Sequence, residues 1–420
     1  MLIYKGGVGQ KKKGKNMFKK ALYIICGTCI ATGAMASGYQ VSEYSATGIG
    51  RAFAGAGVVG DDFSSIAYNP AGMSYNKTNG AQLGAAAIVL HSDWKDNTPG
   101  GTGVKGSSKM ARVLPNFFTQ YRFNEDLTIG LGAYTPYGLI TDYDNNKWPQ
   151  GSHGLFSGLK AVDLSAGASY KLHSMVALGA ALNAQYADAH LTATGQDLDG
   201  HDVALGYSVG MTVTPREDIR LGVSYRSKVS HDLHGGKLKT GMGSTPIHAK
   251  ITTPEYVLFS GAYDVNKQWT LSASARWTRW SRFENLNIIT KKAFLVYPAG
   301  TTISSTHENW KNTWFFALGA DYKINENWTV RFGGAYDESV IKAPEYRTVR
   351  VPDGRRIFAS LGASYMTGNW QYDLGYTHVW MRGGDATGGD ERSRAMNKLP
   401  DVHYNNAGAY MAAFSVQYKF

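Results

Sequence analysis

Few residues in this chain are grouped in a way that could do chemistry. Gly55-Ala56-Gly57-Val58-Val59-Gly60 is a literal G-x-G-x-x-G, the spacing that lets backbone amides approach a pyrophosphate. That use needs a strand before it and an acid about 20 residues on. No strand is predicted there, and Gly80 stands where the acid belongs. Asp142-Tyr143-Asp144-Asn145-Asn146 opens like a calcium loop, but Lys147 replaces the turn glycine and His153 the closing glutamate, so a solvated loop is expected. The eleven histidines scatter over loops and turns, and no nucleophile motif accompanies them. A hydrolase needs a Ser–His pair held by a third polar group. Arg355-Arg356 and Arg392-Ser393-Arg394 could meet anionic lipid headgroups or simply be solvated. The expectation is a protein that is not an enzyme and holds no cofactor or metal, so function must come from the elements themselves.

The front of the chain indicates export. Phe18-Lys19-Lys20 is a basic stretch, Ala21 to Gly33 is small or apolar, and Ala34-Met35-Ala36 is an A-x-A site, with cleavage expected between Ala36 and Ser37. Residues 1–36 are therefore expected to be a signal peptide, with Met17 as the true start and an over-long extension before it. This segment contains seven lysines and no acid, so the remainder has 43 − 7 = 36 basic against 32 acidic residues, a net of +4. The apparent basicity belongs mostly to the leader, and a nucleic-acid partner loses its support. Cys26 and Cys29 leave with the leader, so disulfides do not hold the mature fold.

No apolar run approaches the roughly 20 residues of a spanning helix. Short strands with period-two alternation recur instead. Tyr410, Ala412, Phe414, Val416, Tyr418 and Phe420 fall on one face, and Met411, Ala413, Ser415, Gln417 and Lys419 on the other. Ile219 to Arg226, Trp269 to Trp277 and Trp328 to Gly333 alternate likewise, with aromatics near the ends of the apolar face and Arg, Ser and Gly on the other. That arrangement suits lipid outside and a polar lumen inside. A secreted β-sandwich would turn its apolar faces inward and would not explain the terminal aromatic. Six short polar turns alternate with seven longer Gly- and charge-rich loops, Thr192 to His201 among them, which gives fourteen strands and an even number for closure. The fold class is therefore all-β, a fourteen-stranded antiparallel transmembrane barrel over residues 79–420 in the outer membrane. Its partners are outer-membrane lipid and lipopolysaccharide, and Phe420 is the signal to the barrel assembly machinery. Residues 37–78 do not alternate. Their glycines and alanines, interspersed with Ile49, Phe53, Val58, Val59, Phe63 and Ile66, suggest a small N-terminal hatch packed in the lumen.

Several short motifs occur in order along the chain. In the hatch they are Gly38 to Ser45, Gly48 to Gly55, Asp61-Asp62 and Asn69-Pro70-Ala71. Further on they are Tyr137-Gly138-Leu139, Ser224-Tyr225-Arg226-Ser227, Thr253-Pro254-Glu255, Trp280-Ser281-Arg282-Phe283, Asn309-Trp310-Lys311-Asn312 and Val351-Pro352-Asp353. Together these stretches resemble the FadL/TodX family of outer-membrane transporters for long-chain fatty acids and other hydrophobic compounds, over residues 37–420. The resemblance implies a monomer, plugged by the hatch, that passes a hydrophobic small molecule from an outer site to a luminal pocket and then sideways into the membrane. The side opening is implied at a kink in strand three, matched by Pro136-Tyr137-Gly138. A proline that cannot donate to the ladder and a permissive glycine support a kink independently. Asp61, Asp62, Asn69, Pro70 and Ala71 are implied in the hatch and its gating, with the Asn69 amide expected on backbone freed at the kink. Tyr39, His190 and Lys311 are the implied ligand-binding residues. A basic residue that the resemblance implies at the end of strand five is Ala193 here, which leaves aromatic hydrocarbons open as solutes; a general aqueous porin is the other alternative, opposed by the hatch.

Overall fold

The computed structural model describes residues 38–100, 103–143, 147–389, 391–396 and 398–420, leaving aside the side chains at 234, 235, 392 and 393. The expected cleavage site, Ala36 and Ser37, and the leader lie outside the described residues.

Fourteen antiparallel strands close into a barrel. They are β1 (Gly80–Asp96), β2 (Lys105–Arg122), β3 (Leu127–Asp142), β4 (Phe156–His173), β5 (Val176–Ala193), β6 (Gln196–Arg216) and β7 (Ile219–Arg226). Then follow β8 (Tyr256–Asp264), β9 (Trp269–Thr278), β10 (Thr313–Lys323), β11 (Trp328–Asp337), β12 (Arg356–Thr367), β13 (Trp370–Met381) and β14 (Val402–Lys419). Each pairs with its sequence neighbours, and β14 closes on β1 from Lys419↔Gly80 to Val402↔Asp96. Closure removes the sheet edges that hydrocarbon would leave unpaired. The alternation read from the sequence is the inside–outside alternation of the wall. Leu83, Leu182, Leu205, Leu318 and Leu374 project outward, with Trp314, Trp380 and Tyr410 toward the loop end and Trp269, Trp328, Trp370 and Tyr418 toward the turn end. Gln82, Asp163, Arg226, Arg276, Arg331 and Gln417 are buried inward. Arg356 is buried too, paired with Asp337 at 3.5 Å and with Asp353, so it cannot meet lipid headgroups; strand parity points it into the lumen.

Two long loops hold structure that their composition conceals. Val229–Thr240 pairs with β6 and with Gly243–Thr253, Gly243–Thr253 pairs in turn with Asn285–Thr290, and Asn285–Thr290 with Thr302–His307, so a four-stranded sheet rises from the loop end. The stretch Thr192 to His201 is a tight hairpin rather than a loop: β5 and β6 stay paired to Ala193↔Gln196, with Gly195 at φ 73° in the turn.

Residues 38–78 fill the lumen. Ser45 caps the short helix α1 (Ala46–Gly50) by accepting from the Gly48 amide, and α2 (Ser65–Tyr68) leads into a 3₁₀ turn, Pro70–Tyr75. At the start of the run Gly55 to Gly60, Gly55 N donates to Ala273 O of β9 at 3.2 Å and Ala56 N to Ser274 Oγ at 3.3 Å, so these amides are spent on the wall rather than on a phosphate.

Candidate functional site: the luminal segment, the strand-three bulge and two cavities

Asp61 and Asp62 have different tasks. Asp62 accepts from Ser45, Thr47 Oγ1 (2.7 Å), Ser64 N (3.0 Å) and Ser64 Oγ (2.7 Å), and so organises the segment itself. Asp61 faces the wall. Arg51 Nη1 lies 2.7 Å from it and 3.2 Å from Asp321 on β10, while Arg331 Nη2 on β11 lies 2.9 Å from Asp61. Two cations and two anions balance here, as burial demands. Gly333 permits the approach: a Cβ there would fall 2.2 Å from the Arg51 carbonyl.

Asn69 caps the 3₁₀ turn, its Oδ1 accepting from Ala71 N at 3.0 Å, and Pro70 at the first position costs the turn no hydrogen bond. Its Nδ2 donates to Met211 O of β6 at 3.3 Å and Val223 O of β7 at 3.5 Å. The expected contact with strand three is therefore corrected. The amide goes to β6 and β7 because Gly210 and Gly222 leave the wall bare there; a Cβ at Gly210 would lie 2.0 Å from Oδ1. Ala71 is fully buried, and its carbonyl accepts from Ser169 Oγ of β4 at 2.9 Å.

Strand three is irregular around Pro136. Its register against β4 shifts between Tyr134↔Asp163 and Tyr137↔Ala161, so one extra residue bulges at Thr135-Pro136. On its other side β3 pairs with β2 only from Thr128↔Arg122 to Ala133↔Phe117. Beyond that point the two strands part, although β2 runs on beside β1 to Lys105. The freed backbone of β3 turns to the luminal segment: Val41 N donates to Pro136 O at 2.9 Å and Gly138 N to Tyr39 O at 2.8 Å. Tyr137 is buried and donates to Pro254 O at 2.8 Å.

Two cavities flank this opening. The outer one, ≈ 80 Å³, lies under the loop sheet among apolar side chains such as Leu159, Leu191, Leu233, Ile251 and Phe283, with Tyr39 in its floor. The second, ≈ 70 Å³, lies between Ser108 and Met110 of β2 and Ile140 and Thr141 of β3, with Arg356 and Asp353 behind. Leu139 and Val351 line both. Tyr39 packs edge-on to Trp280 (4.7 Å) and beside Trp310 (5.6 Å), and its hydroxyl donates to Thr252 O at 3.0 Å.

Of the three ligand-binding expectations, only Tyr39 lines either of these two cavities. Ala189 and Leu191 line the outer cavity, so His190 between them points outward, where its ring sits 3.0 Å from Asp197. Trp310 is buried in the aromatic cluster, and Lys311 after it is half-buried and lines neither cavity. Sequence reasoning missed Arg350 and Glu308, the cavity's charged groups from the loops. Arg350 Nη1 donates to Phe156 O (3.1 Å) and Ser157 Oγ (2.9 Å). No local pattern around either residue signals inward placement.

A closed barrel with a lipid-matched exterior and a filled lumen defines an integral outer-membrane protein. Residues 27–420 match the family of outer membrane protein transport proteins that includes OMPP1, FadL and TodX, and the chain belongs to that family, whose members are transport proteins and not enzymes. It is 31% identical to an outer membrane protein of Neisseria meningitidis serogroup B over 86% of this chain and 90% of the relative. It is 26% identical to the long-chain fatty acid transport protein of Escherichia coli K12 over 84% and 89%. The fold is that of a Pseudomonas aeruginosa FadL homologue, with TM-score 0.79, 22% identity, and 91% and 100% of the two chains covered. It is also that of the Pseudomonas putida toluene transporter TodX, with TM-score 0.65, 15% identity, and 91% and 100% covered.

Proposed function

We propose that this protein carries hydrophobic molecules through the sugar layer of the outer membrane and releases them sideways into the hydrocarbon between β2 and β3. The ligand enters the apolar cavity under the loop sheet, passes Leu139 and Val351, and leaves through the second cavity. The observation that carries this is that this cavity lies between the parted lengths of β2 and β3, beyond the end of their ladder at Phe117↔Ala133. Straight passage is opposed by residues 38–78, tied to the wall by Arg51, Asp61 and Asn69. Each methylene exposed to water costs ~0.8 kcal/mol, so a shielded route that ends in lipid removes most of the barrier for a long alkyl chain. Long-chain acids and small aromatics both suit an apolar path of this kind.

Photolabelling tests the route. A dodecyl ligand bearing a diazirine, irradiated with the protein in bilayers, is expected to mark residues 105–116 of β2 and Leu139 to Thr141 of β3. Labels concentrated on residues 45–75 and the turn end would instead indicate axial passage and overturn the lateral reading.

A further inference from the structure

Glu308 comes from the loop between β9 and β10 and is 2% exposed, yet its side chain borders the outer cavity. Its amide donates to Glu284 O at 2.8 Å, which fixes the backbone. Its Oε2 accepts from the Trp310 indole at 3.1 Å, and among the described residues no donor meets Oε1. The carboxyl thus makes one side-chain hydrogen bond and has its second oxygen left over beside a mainly apolar cavity, able to meet a polar group that enters.

We propose that Glu308 anchors the polar end of the ligand, and that the ligand it fits is a hydrophobic molecule ending in a hydroxyl group. This rests on the outer cavity being the ligand's first enclosed site. A hydroxyl both donates and accepts, so it satisfies Oε1 whether the carboxyl is ionised or protonated. A carboxylate only accepts, so it can pair with Glu308 only while Glu308 holds a proton. A plain hydrocarbon leaves Oε1 unmet. Burial pushes the Glu308 carboxyl up to about 8, with the Trp310 hydrogen bond and the Arg350 charge opposing it. The proton is therefore present at neutral pH and lost above pH 8. An acid ligand loses its partner across that interval and an alcohol does not. Arg350 and the exposed Asp199 also face the cavity, the Tyr39 hydroxyl lies in its floor, and His307 is adjacent in sequence with its ring on Glu391. All four persist in a Glu308→Gln variant, so their titration does not mimic that of Glu308.

The test titrates dodecanol, dodecanoate and dodecane against purified protein at pH 7 and pH 9.5, read by tryptophan fluorescence. The wild type is expected to hold dodecanol equally at both pH values and to lose dodecanoate about tenfold or more at the higher one. Glu308→Gln should abolish that pH dependence, and Glu308→Leu should bring dodecanol about tenfold down, toward dodecane. A pH dependence of dodecanoate unchanged in Glu308→Gln overturns the proposal. Equal weakening of all three ligands in Glu308→Leu, with Glu308→Gln binding like wild type at both pH values, also overturns it. If none of the three binds the wild type, the reading of the cavity itself fails, and the proposal falls with it.

Discussion

Asn69 serves two structures at once. Its oxygen caps the 3₁₀ turn through the Ala71 amide, and its nitrogen reaches Met211 and Val223 carbonyls in the wall. Truncation leaves a buried amide unmet and should cost ~1–3 kcal/mol locally. Asn69→Ala is expected to speed amide hydrogen exchange over residues 69–75 about 10- to 100-fold while the barrel strands stay protected; unchanged exchange there would show that the cap and wall contacts carry no weight. Asp61 is the stronger anchor. Asp61→Ala leaves Arg51 and Arg331 sharing Asp321, and breaking such a buried network typically costs 3–5 kcal/mol, so a clear fall in thermal unfolding temperature is expected. These residues were partly legible. Asn-Pro announces a turn whichever wall it meets, but the wall partner depends on glycines more than 100 positions away. The parity of Lys311 and His190 was not legible. Asn309 before Trp310 takes φ 43°, a left-handed step that resets which face follows, and His190 differs from its cavity-lining neighbours only by facing the other way.

At the scale of elements, lipid and lumen impose opposite chemistry on successive residues, which is why β7, β9, β11 and β14 could be read from alternation alone. The loop strands could not. Val229–Thr240 and Thr302–His307 have polar residues on both faces and flank Gly-rich turns, so composition marks them as coil until their partners are known. An irregularity in β3 could be expected because Pro136 cannot donate to a ladder, but the parting of β2 from β3 is a pairing fact that no single strand reveals. β14 gives a direct prediction. Phe420 is exposed at the turn end, and its amide donates to Asn79 O at 2.9 Å, beside the seam with β1. Deleting Phe420 should lower the heat-modifiable, membrane-inserted fraction; wild-type insertion of the truncated chain would remove its role in assembly.

Among the described residues the wall closes around a filled lumen, and the ladder between β2 and β3 parts toward the loop end. That arrangement predicts low conductance in planar bilayers, and large open-pore steps once residues 38–78 are deleted. Frequent large steps from the intact protein would favour an aqueous porin. The proposed lateral exit rests on the parting of β3 from β2 after Ala133↔Phe117, and the bulge that follows turns the freed backbone of β3 toward the luminal segment. Deleting Pro136 removes the one extra residue between Tyr134↔Asp163 and Tyr137↔Ala161, and keeps both tyrosines on the luminal face. The decisive measurement is uptake of a labelled long-chain hydrophobic solute by cells carrying this deletion, with heat-modifiable mobility confirming a folded barrel. The account predicts uptake near the level of cells lacking the protein. Wild-type uptake through a folded barrel with its bulge removed would contradict it.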